Sequence, residues 1–493
     1  YRCLRHAGAR SRPLVLGPPL TRLALTTLDS IARPGGRLVT ACRGFVLPMP
    51  APVARRVVVV AGPTAVGKSA LGMRLCEALP GELVSVDSVQ VYRGLQIGAN
   101  KPSAVERART AHHLIDVAEL SDDYTAGTFY ADALTAVDEV LSRGKTPVLV
   151  GGTSMYLRWL VHGRPTAPRS DPAVAAAARD ALQPYQEAAD WEGGLALLRA
   201  LDGPRAAQLS ANDWYRLHRA LVVAMQTRSQ AAALPPPPDD SGLDALRASL
   251  DLRCFFLTAP RVPLCRRIDE RCGAMLQAGL LREVSDLLLQ RKLLPSHPAG
   301  RAIGYRQALE YLLRPCYAPR DADALSSFVH AFAAASRRYA QQQTKWFRSE
   351  TSFEWVDVDW SAPEAAAERV LASVRKPRLE HEDDLAAPRQ AEMRAVKPDE
   401  GKAMKRYVER HDALEDVAVC EALLREADAC CEALQAARAD LLAADEALAE
   451  RYPWHAADAG GEGGTGSAAR AAQRMSGWSA ARGADAGEPG GAS

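Results

Sequence analysis

The chain lacks the features that mark disulfide-stabilised, zinc-finger and membrane-spanning proteins. Its ten cysteines are spread over 493 residues, and none belongs to a Cys-x-x-Cys pair or precedes a spaced histidine pair. This spacing excludes a disulfide framework and a cysteine-based zinc module. No apolar run approaches the roughly 18 residues that a transmembrane helix needs, so we expect no membrane partner. A composition with 47% hydrophobic and 24% charged residues is typical of a globular protein with reduced thiols.

Acidic residues are nearly absent from residues 1–56, which contain ten arginines and only Asp29. An arginine-rich, acid-poor leader is typical of an organelle transit peptide, so we predict a plastid or mitochondrial location. The alternatives are a disordered basic leader or translated sequence upstream of the real start. Met49 could serve as an internal start and give a cytosolic form.

Short apolar segments at residues 57–60, 83–86 and 147–150 alternate with helical patterns at 69–79 and 129–143. Strands that alternate with helices indicate an α/β fold, in which a parallel sheet is flanked by helices and joined by right-handed crossovers. We assign residues 57–168 to the first part of a catalytic core. A further strand is predicted at 252–257, within a continuation of the core at 212–375.

Two other regions have no strand pattern. Residues 169–211 are alanine-rich, which predicts a helical insertion, and four prolines at 235–238 indicate a flexible break. Residues 376–493 form a tail that we expect to be helical and then disordered. Partial heptad spacing at 414–452 suggests a helical hairpin or a weak coiled coil, in which Cys420, Cys430 and Cys431 are small buried hydrophobes.

The first chemical motif is a P-loop between a predicted strand and a predicted helix. Its glycines allow backbone N–H groups to surround phosphate oxygens, and its lysine adds a full positive charge at a helix N-terminus. The serine is the natural ligand for Mg²⁺, the one cofactor that we predict. The loop comprises Gly62, Pro63, Thr64, Ala65, Val66, Gly67, Lys68 and Ser69. This context predicts a sheet of the P-loop NTPase type.

Two polar residues follow the other predicted strands. Asp87 ends the strand at 83–86, and Thr153 follows the strand at 147–150. Because the carboxyl ends of parallel strands face the ligand crevice, both side chains should lie near the phosphate site. Asp87 could be a Mg²⁺ ligand, a general base or only a cap on the next turn.

With these motifs in place, the chain resembles the tRNA dimethylallyltransferase family. The resemblance rests on blocks that occur in family order over about residues 57–350. They include Asp87-Ser88-Val89-Gln90, Gly151-Gly152-Thr153 and Gly304-Tyr305-Arg306-Gln307. The full set of blocks is 62–69, 87–95, 97–102, 112–116, 151–156, 212–221, 300–307 and 336–348.

The resemblance implies that the P-loop holds dimethylallyl diphosphate and that the acceptor is N6 of the adenosine 3′ to a tRNA anticodon. It implies that Asp87 is the general base, that Thr153 hydrogen-bonds near the reacting centre, and that Lys68 stabilises the leaving diphosphate. We further expect a monomer that binds the tRNA anticodon loop.

The RNA-binding residues implied by the resemblance combine cations, aromatic rings and polar groups. Each arginine could equally be a solvated surface charge, and Trp346 by itself is more typical of a core. His112 and His113 are interpreted as structural. The predicted set is Asp87, Ser88, Val89, Gln90, Tyr215, Arg216, Arg219, Arg301, Gly304, Tyr305, Arg306, Gln343, Lys345, Trp346 and Arg348.

Some positions depart from the family pattern. Gln341 and Gln342 stand where the family usually has basic residues, Val222 replaces a usual Glu, and Ala175 stands where bacterial members tend to have an RNA-contacting Arg. These changes put tRNA affinity in question more than catalysis. The runner-up is an adenylate isopentenyltransferase acting on free AMP, ADP or ATP. A P-loop small-molecule kinase is a further alternative.

Overall fold

The computed structural model describes residues 55–164, 171–230, 241–314, 321–444 and 448. The predicted leader, the proline-rich break at 235–238 and the glycine-rich end at 459–493 lie outside the described residues.

A parallel sheet forms the centre of the fold, with strand order β3-β2-β4-β1-β5-β6. The four apolar segments in the sequence become four of its strands, which confirms the α/β prediction. Two short strands at the sheet edges were not predicted, because a two-residue and a four-residue strand leave no readable pattern. The strands are β1 (Arg55–Ala61), β2 (Gly81–Val86), β3 (His112–His113), β4 (Thr146–Gly151), β5 (Leu250–Thr258) and β6 (Glu354–Asp357).

Helices connect and cover these strands. The helix after the P-loop and the helix predicted at 129–143 are both confirmed. The helices are α1 (Lys68–Ala78), α2 (Ala104–Arg109), α3 (Ala126–Ser142), α4 (Ser154–His162), α5 (Pro172–Glu187), α6 (Trp191–Arg199), α7 (Gly203–Ala206), α8 (Trp214–Gln230), α9 (Ser241–Ala248), α10 (Arg261–Gln277), α11 (Leu280–Leu289), α12 (Tyr305–Leu312), α13 (Ala322–Phe347), α14 (Pro363–Arg375), α15 (Arg378–Ala386), α16 (Pro388–Arg394), α17 (Pro398–Lys405), α18 (Asp412–Glu415), α19 (Val417–Ala436) and α20 (Arg438–Ala444).

The central strand β1 is buried on both faces, which explains its uninterrupted valine run. Val57 and Val59 pack in one apolar cluster with residues of α3 and α4. Val58 and Val60 pack on the opposite face, in a second cluster with residues of α1 and α10–α14. A helix layer on each face fixes the sheet and leaves its carboxyl edge for the loops.

The helical insertion has an apolar core of its own, formed by α5–α8. Leu217 and Leu221 of α8 are buried in this core, and Trp214 packs edge-on against Trp191 with ring centroids 5.2 Å apart. The boundary predicted at residue 211 therefore cuts through this helical unit, which continues to Gln230. The amphipathic pattern of α8 does not reveal which neighbour it packs against.

The tail is helical as far as the structure describes it, but α19 does not form an independent coiled coil. It packs against α11, with Ala427, Cys430, Cys431 and Leu434 buried in the larger core cluster. The prediction of buried cysteines is confirmed for Cys430 and Cys431 but not for Cys420, which is half-buried at the border of this cluster. Among the described helices, none has both the length and the apolar character needed to cross a membrane.

Candidate active site at the carboxyl edge of the sheet

The P-loop connects β1 to α1 and exposes a set of backbone donors. Gly67 has φ 108 and Ala65 has φ 65, so the chain turns through left-handed conformations that glycine adopts at least cost. Within the described residues, the N–H groups of Ala65, Gly67, Lys68 and Ser69 have no hydrogen-bond partner. Unpaired amides at a helix N-terminus form a concave surface suited to an anion.

Three side chains bind the carbonyl groups of the same loop. Lys68 Nζ donates to the carbonyl of Pro63 at 2.7 Å, and Trp360 Nε1 donates to Val66 O at 3.1 Å. Arg267 Nε donates to Ala65 O at 3.4 Å, and its guanidinium lies 4.7 Å from the centroid of the Trp360 ring. These contacts fix the carbonyl groups of the loop in place. Trp360 and Arg267 are far from the loop in sequence, so no local motif indicates them.

Gln343 links the P-loop to the end of β4. Its Oε1 accepts a hydrogen bond from Thr64 N, and its Nε2 donates to Gly152 O, both at 2.9 Å. The side chain is buried. The prediction that Gln343 contacts tRNA is therefore wrong for this arrangement, because both ends of its amide are occupied by the protein.

Two buried cations, Lys68 and Arg271, lie close to the loop, and among the described residues the charge of Asp87 acts on both of them. Burial and, to a smaller extent, the nearby charge of Arg271 lower the pKa of Lys68 to about 7, although Asp87 partly opposes the shift. Burial also lowers the pKa of Arg271. Within the described residues neither cation forms a salt bridge. Desolvated positive charges that one carboxylate offsets only in part are costly, so this region is suited to a bound anion.

Asp87 and Thr153 lie together, as predicted from their positions after β2 and β4. Asp87 Oδ1 accepts hydrogen bonds from Val89 N at 2.8 Å and Gln90 N at 3.3 Å, so the capping interpretation is correct for this one oxygen. Asp87 Oδ2 has no hydrogen bond among the described residues. Thr153 Oγ1 accepts a hydrogen bond from Ser88 N at 3.1 Å. The carboxylate thus keeps one oxygen for other chemistry while the turn after β2 holds it in place.

A close approach of strands explains the glycine at position 151, two residues before this threonine. A Cβ on Gly151 would lie 1.9 Å from the carbonyl oxygen of Val86. Any larger residue would push β4 away from β2 and separate Thr153 from Asp87.

Tyr339 of α13 also belongs to the site, although the sequence did not indicate it. Its hydroxyl lies near the side chains of Thr153 and Gln343, which both act to lower its pKa. Burial raises the pKa of Tyr339, and the charge of Asp87 adds to the shift, so the hydroxyl stays protonated. A lone tyrosine on a long helix gives no spacing signal that could have identified it.

Two of the predicted RNA-binding residues are internal. Tyr305 is fully buried, donates to Glu283 Oε1 at 2.7 Å and accepts from Ala99 N at 3.1 Å. It cannot serve as a stacking surface in this conformation, because its ring supports residues 97–100. Gly304 is also buried, at the start of α12, with φ 93. These two predictions of direct contact are wrong, and both residues instead support the fold.

The side chain of Gln90 is similarly engaged within the protein. Its Oε1 accepts from Ser85 Oγ at 2.8 Å, while its Nε2 donates to the carbonyls of Ala99 and Asn100. Val89 is half-buried against the larger core cluster. Gln90 therefore orders the turn behind Asp87.

Other predicted RNA-binding residues remain accessible. On α8, Tyr215 is 81% exposed and Arg216 forms a 3.2 Å ion pair with Asp213. Arg219 lies on the same helix and is half-buried. Arg301 and Lys345 are exposed, and Arg306 and Arg348 are half-buried.

Three aromatic or imidazole side chains contact other parts of the protein, as the structural interpretation of the sequence predicts. Trp346 packs edge-on against Phe347 with a centroid distance of 4.7 Å, as expected for a residue near the core. His112 Nδ1 lies 2.7 Å from Thr110 O, and His113 Nε2 lies 2.7 Å from Glu82 Oε2. The two histidines are structural, as predicted.

Comparisons with known proteins cover much of the described chain, although the matching family model begins after the P-loop and Asp87. A family model described as IPP transferase matches residues 90–350, more than half of the chain. tRNA dimethylallyltransferase 9 of Arabidopsis thaliana is 41% identical over 334 residues, which cover 61% of this chain and 71% of the relative. A tRNA dimethylallyltransferase of Protochlamydia amoebophila is 35% identical over 64% of this chain and 88% of its own.

A solved structure described as a eukaryotic dimethylallyltransferase acting on tRNA is also similar. It shares 26% identity and a TM-score of 0.51, over 64% of this chain and 78% of that chain. The match includes the parallel sheet and the helices that flank it.

Proposed function

The chain belongs to the IPP transferase family, and from that premise we propose that it is a tRNA dimethylallyltransferase. The proposed donor is dimethylallyl diphosphate, and the proposed acceptor is N6 of the adenosine 3′ to the anticodon. Curated relatives with this activity in their names support the proposal.

The observation that carries the proposed donor site is the pair of cations beside the P-loop. Lys68 and Arg271 are both desolvated, and the charge of Asp87 only partly opposes the lowering of their pKa values. Four unpaired backbone N–H groups lie in the same loop. A diphosphate would supply the missing negative charge and accept hydrogen bonds from these donors.

The transfer follows from these placements. The N6 amine attacks the allylic carbon of the donor, the carbon–oxygen bond to diphosphate breaks, and the electron pair leaves on the diphosphate oxygen. Lys68, Arg271 and the loop amides stabilise that oxygen. Asp87 accepts the proton that N6 loses, which offsets the positive charge that develops on the amine.

Thr153 and Tyr339 contribute to the fixed arrangement of polar side chains near Asp87. The Thr153 hydroxyl is held by Ser88 N and lies near Tyr339, so its position relative to the reacting centre is set before substrate binds. Positioning of this kind lowers the entropic part of the barrier.

The residues also fit Mg²⁺, which favours oxygen ligands. Ser69 is exposed at the first turn of α1, and its hydroxyl would hold the ion next to the phosphates. When bound, Mg²⁺ would neutralise part of the diphosphate charge.

Nucleoside analysis tests the function directly. The chain should be expressed in a host that lacks the modification, and its tRNA digested and examined for N6-dimethylallyladenosine. We expect the modified nucleoside with the wild-type chain. Asp87→Asn keeps the cap on Val89 but removes the base, so we expect a rate loss on the order of 10²–10⁴-fold.

Purified protein separates the alternatives. Radiolabelled dimethylallyl diphosphate should be offered with unmodified tRNA or with AMP, and labelled ATP with either acceptor. Label in tRNA supports the proposal. Label only in AMP would assign an adenylate isopentenyltransferase, and transfer of phosphate from ATP would assign a kinase.

A further inference from the structure

Two histidines and a glutamate from distant parts of the chain converge beside α13. His330 Nδ1 lies 2.8 Å from Glu409 Oε2, and His411 Nε2 lies 2.7 Å from Glu409 Oε1. Their candidate ligand atoms all lie within 4.8 Å of one another. His330 is on α13, whereas Glu409 and His411 are in the segment that follows α17, so no sequence spacing reveals the cluster.

The close contacts in this cluster are not satisfied by hydrogen bonds. Glu409 Oε1 and both ring nitrogens of His411 are buried, and none has a hydrogen-bond partner among the described residues. Glu409 Oε1 and His411 Nε2 approach to 2.7 Å nonetheless. Buried polar atoms are rarely left unpaired, and two electron-pair donors that converge in this way are suited to sharing a cation.

We propose that His330, Glu409 and His411 bind a Zn²⁺ ion. Imidazole nitrogen and carboxylate oxygen are ligands that zinc prefers, and three protein ligands with one water complete a tetrahedral shell. His330 is 66% exposed, so the outer side of the cluster is open to that water. The site is independent of the proposed transferase chemistry.

The charges around the cluster permit a divalent cation. Arg337 donates to Glu409 Oε2 at 2.6 Å, but it also forms an ion pair with buried Asp269, which accepts a further hydrogen bond from Tyr407. Arg337 is shared between two carboxylates, so it offsets the charge of Glu409 only in part. Arg337 would act as the outer partner that orients a metal-bound carboxylate.

A second histidine–carboxylate group in the described chain has carboxylates that are each paired with a cation. Glu354, His381 and Asp384 also lie close together. Arg369 pairs with Glu354 at 3.2 Å, and Lys376 pairs with Asp384 at 2.6 Å, so both carboxylates are already neutralised. We assign no metal to that group.

Zinc at the first cluster would fasten the tail to the catalytic core. The segment with Tyr407, Glu409 and His411 contacts α10 and α13, and α13 also carries Tyr339 and Gln343. An ion held by α13 and by this segment would close the long loop between them and stabilise the folded state by mass action.

Zinc titration of the full chain tests the proposal. Untagged protein should compete with a chromophoric chelator for added Zn²⁺, and its thermal unfolding should be followed with and without the ion. We expect one equivalent to bind and the melting temperature to rise. His330→Ala removes an exposed ligand at little cost to folding, and it should weaken binding by at least the order of 10–100-fold that loss of an outer partner causes.

A matched control separates a metal site from an ordinary ion pair. His162 Nε2 pairs with Glu350 at 2.6 Å through one ring nitrogen, so His162→Ala should leave zinc binding unchanged. The proposal is overturned if wild-type protein binds no more zinc than a His330→Ala/His411→Ala double variant. Equal protease protection of the tail with zinc and with chelator would also overturn it, because ion pairing alone would then hold the segment.

Discussion

The charge on Lys68 depends on the groups packed around its ammonium. Burial and Arg271 lower its pKa to about 7, against an ordinary value of 10.5. A bound diphosphate would favour the charged form and raise this pKa. Donor binding and protonation of Lys68 are therefore linked, and affinity should fall as pH rises above about 7.

Calorimetry can measure this linkage. Above about pH 7 the free protein has Lys68 largely neutral, so binding of dimethylallyl diphosphate should take up a proton. We expect the observed heat at about pH 8 to vary with the ionisation enthalpy of the buffer. Lys68→Met should lose most of that dependence and bind the donor more weakly.

The donor's own phosphate groups titrate identically in both proteins, so the difference reports on the lysine. Equal proton uptake by wild type and Lys68→Met would contradict the assignment.

Sequence alone located the residues that lie in compact motifs. The P-loop, Asp87 and Thr153 each follow a strand directly, and strand ends meet at one edge of the sheet. Arg271, Tyr339 and Trp360 reach the same place from α10, α13 and the turn after β6, so no local pattern marks them.

Tyr305 lies in a compact motif, yet its role was predicted wrongly. Its neighbours Gly304 and Arg306 are compatible with either an exposed loop or a helix start. Only the packing against residues 97–100 decides that the ring is buried.

At the scale of elements, α13 acts as a brace between two loops. Gln343 connects Thr64 to Gly152, and Tyr339 of the same helix lies near Thr153. The P-loop and the end of β4 are thereby held at a fixed separation. A shift of α13 would move the donor site and the acceptor site together.

Truncation of Gln343 tests this brace. Gln343→Ala leaves a buried N–H and a buried carbonyl without partners, which should lower the free energy of unfolding by about 1–3 kcal/mol. We expect a higher KM for the donor and an unchanged salt dependence of tRNA binding. Denaturant unfolding and steady-state kinetics measure the two effects.

Gln341→Ala is the matched control, because Gln341 is exposed on the same helix and hydrogen-bonds only to Arg261, at 3.0 Å, among described residues. If Gln343→Ala raised the KM for tRNA alone and left stability intact, Gln343 would be an RNA contact after all.

Helices and strands with strong local patterns were predicted well. The elements that they pack against were not predicted. The valine run of β1 requires burial on both faces, so its place in the sheet interior follows from composition. The amphipathic patterns of α8 and α19 require only that one face is covered. Whether α8 packs on α5 and α19 on α11 depends on contacts far away in the chain.

Across the whole molecule, the helical unit of α5–α8 carries several of the exposed RNA-binding candidates. Its own apolar core allows it to present Tyr215 and Arg216 from one helix. Ala175 of α5 offers no positive charge where bacterial relatives tend to have one. The contribution of α8 to tRNA affinity should be correspondingly important.

Substitution of Arg219 tests that contribution. Arg219→Ala should raise the KM for tRNA, leave kcat near its wild-type value and reduce the slope of log affinity against log salt by roughly 0.7–0.9, as expected for one lost phosphate contact. Filter binding at several salt concentrations gives the slope.

Arg205→Ala provides the comparison, since Arg205 is exposed in α7 of the same helical unit. An unchanged slope for Arg219→Ala, or an equal change for both variants, would remove Arg219 from the phosphate contacts.

The two strands that the sequence did not reveal, β3 and β6, lie at the opposite edges of the sheet. An edge strand exposes unpaired backbone groups that can template pairing with another copy of the chain, and the hazard grows with strand length. With two and four residues, β3 and β6 offer little such template. The longer β5 has nine residues and would be a strong template for such pairing, but β6 pairs with it and shields it. The family match ends at residue 350, just before β6, so a fragment cut at that point would lose its protection against aggregation.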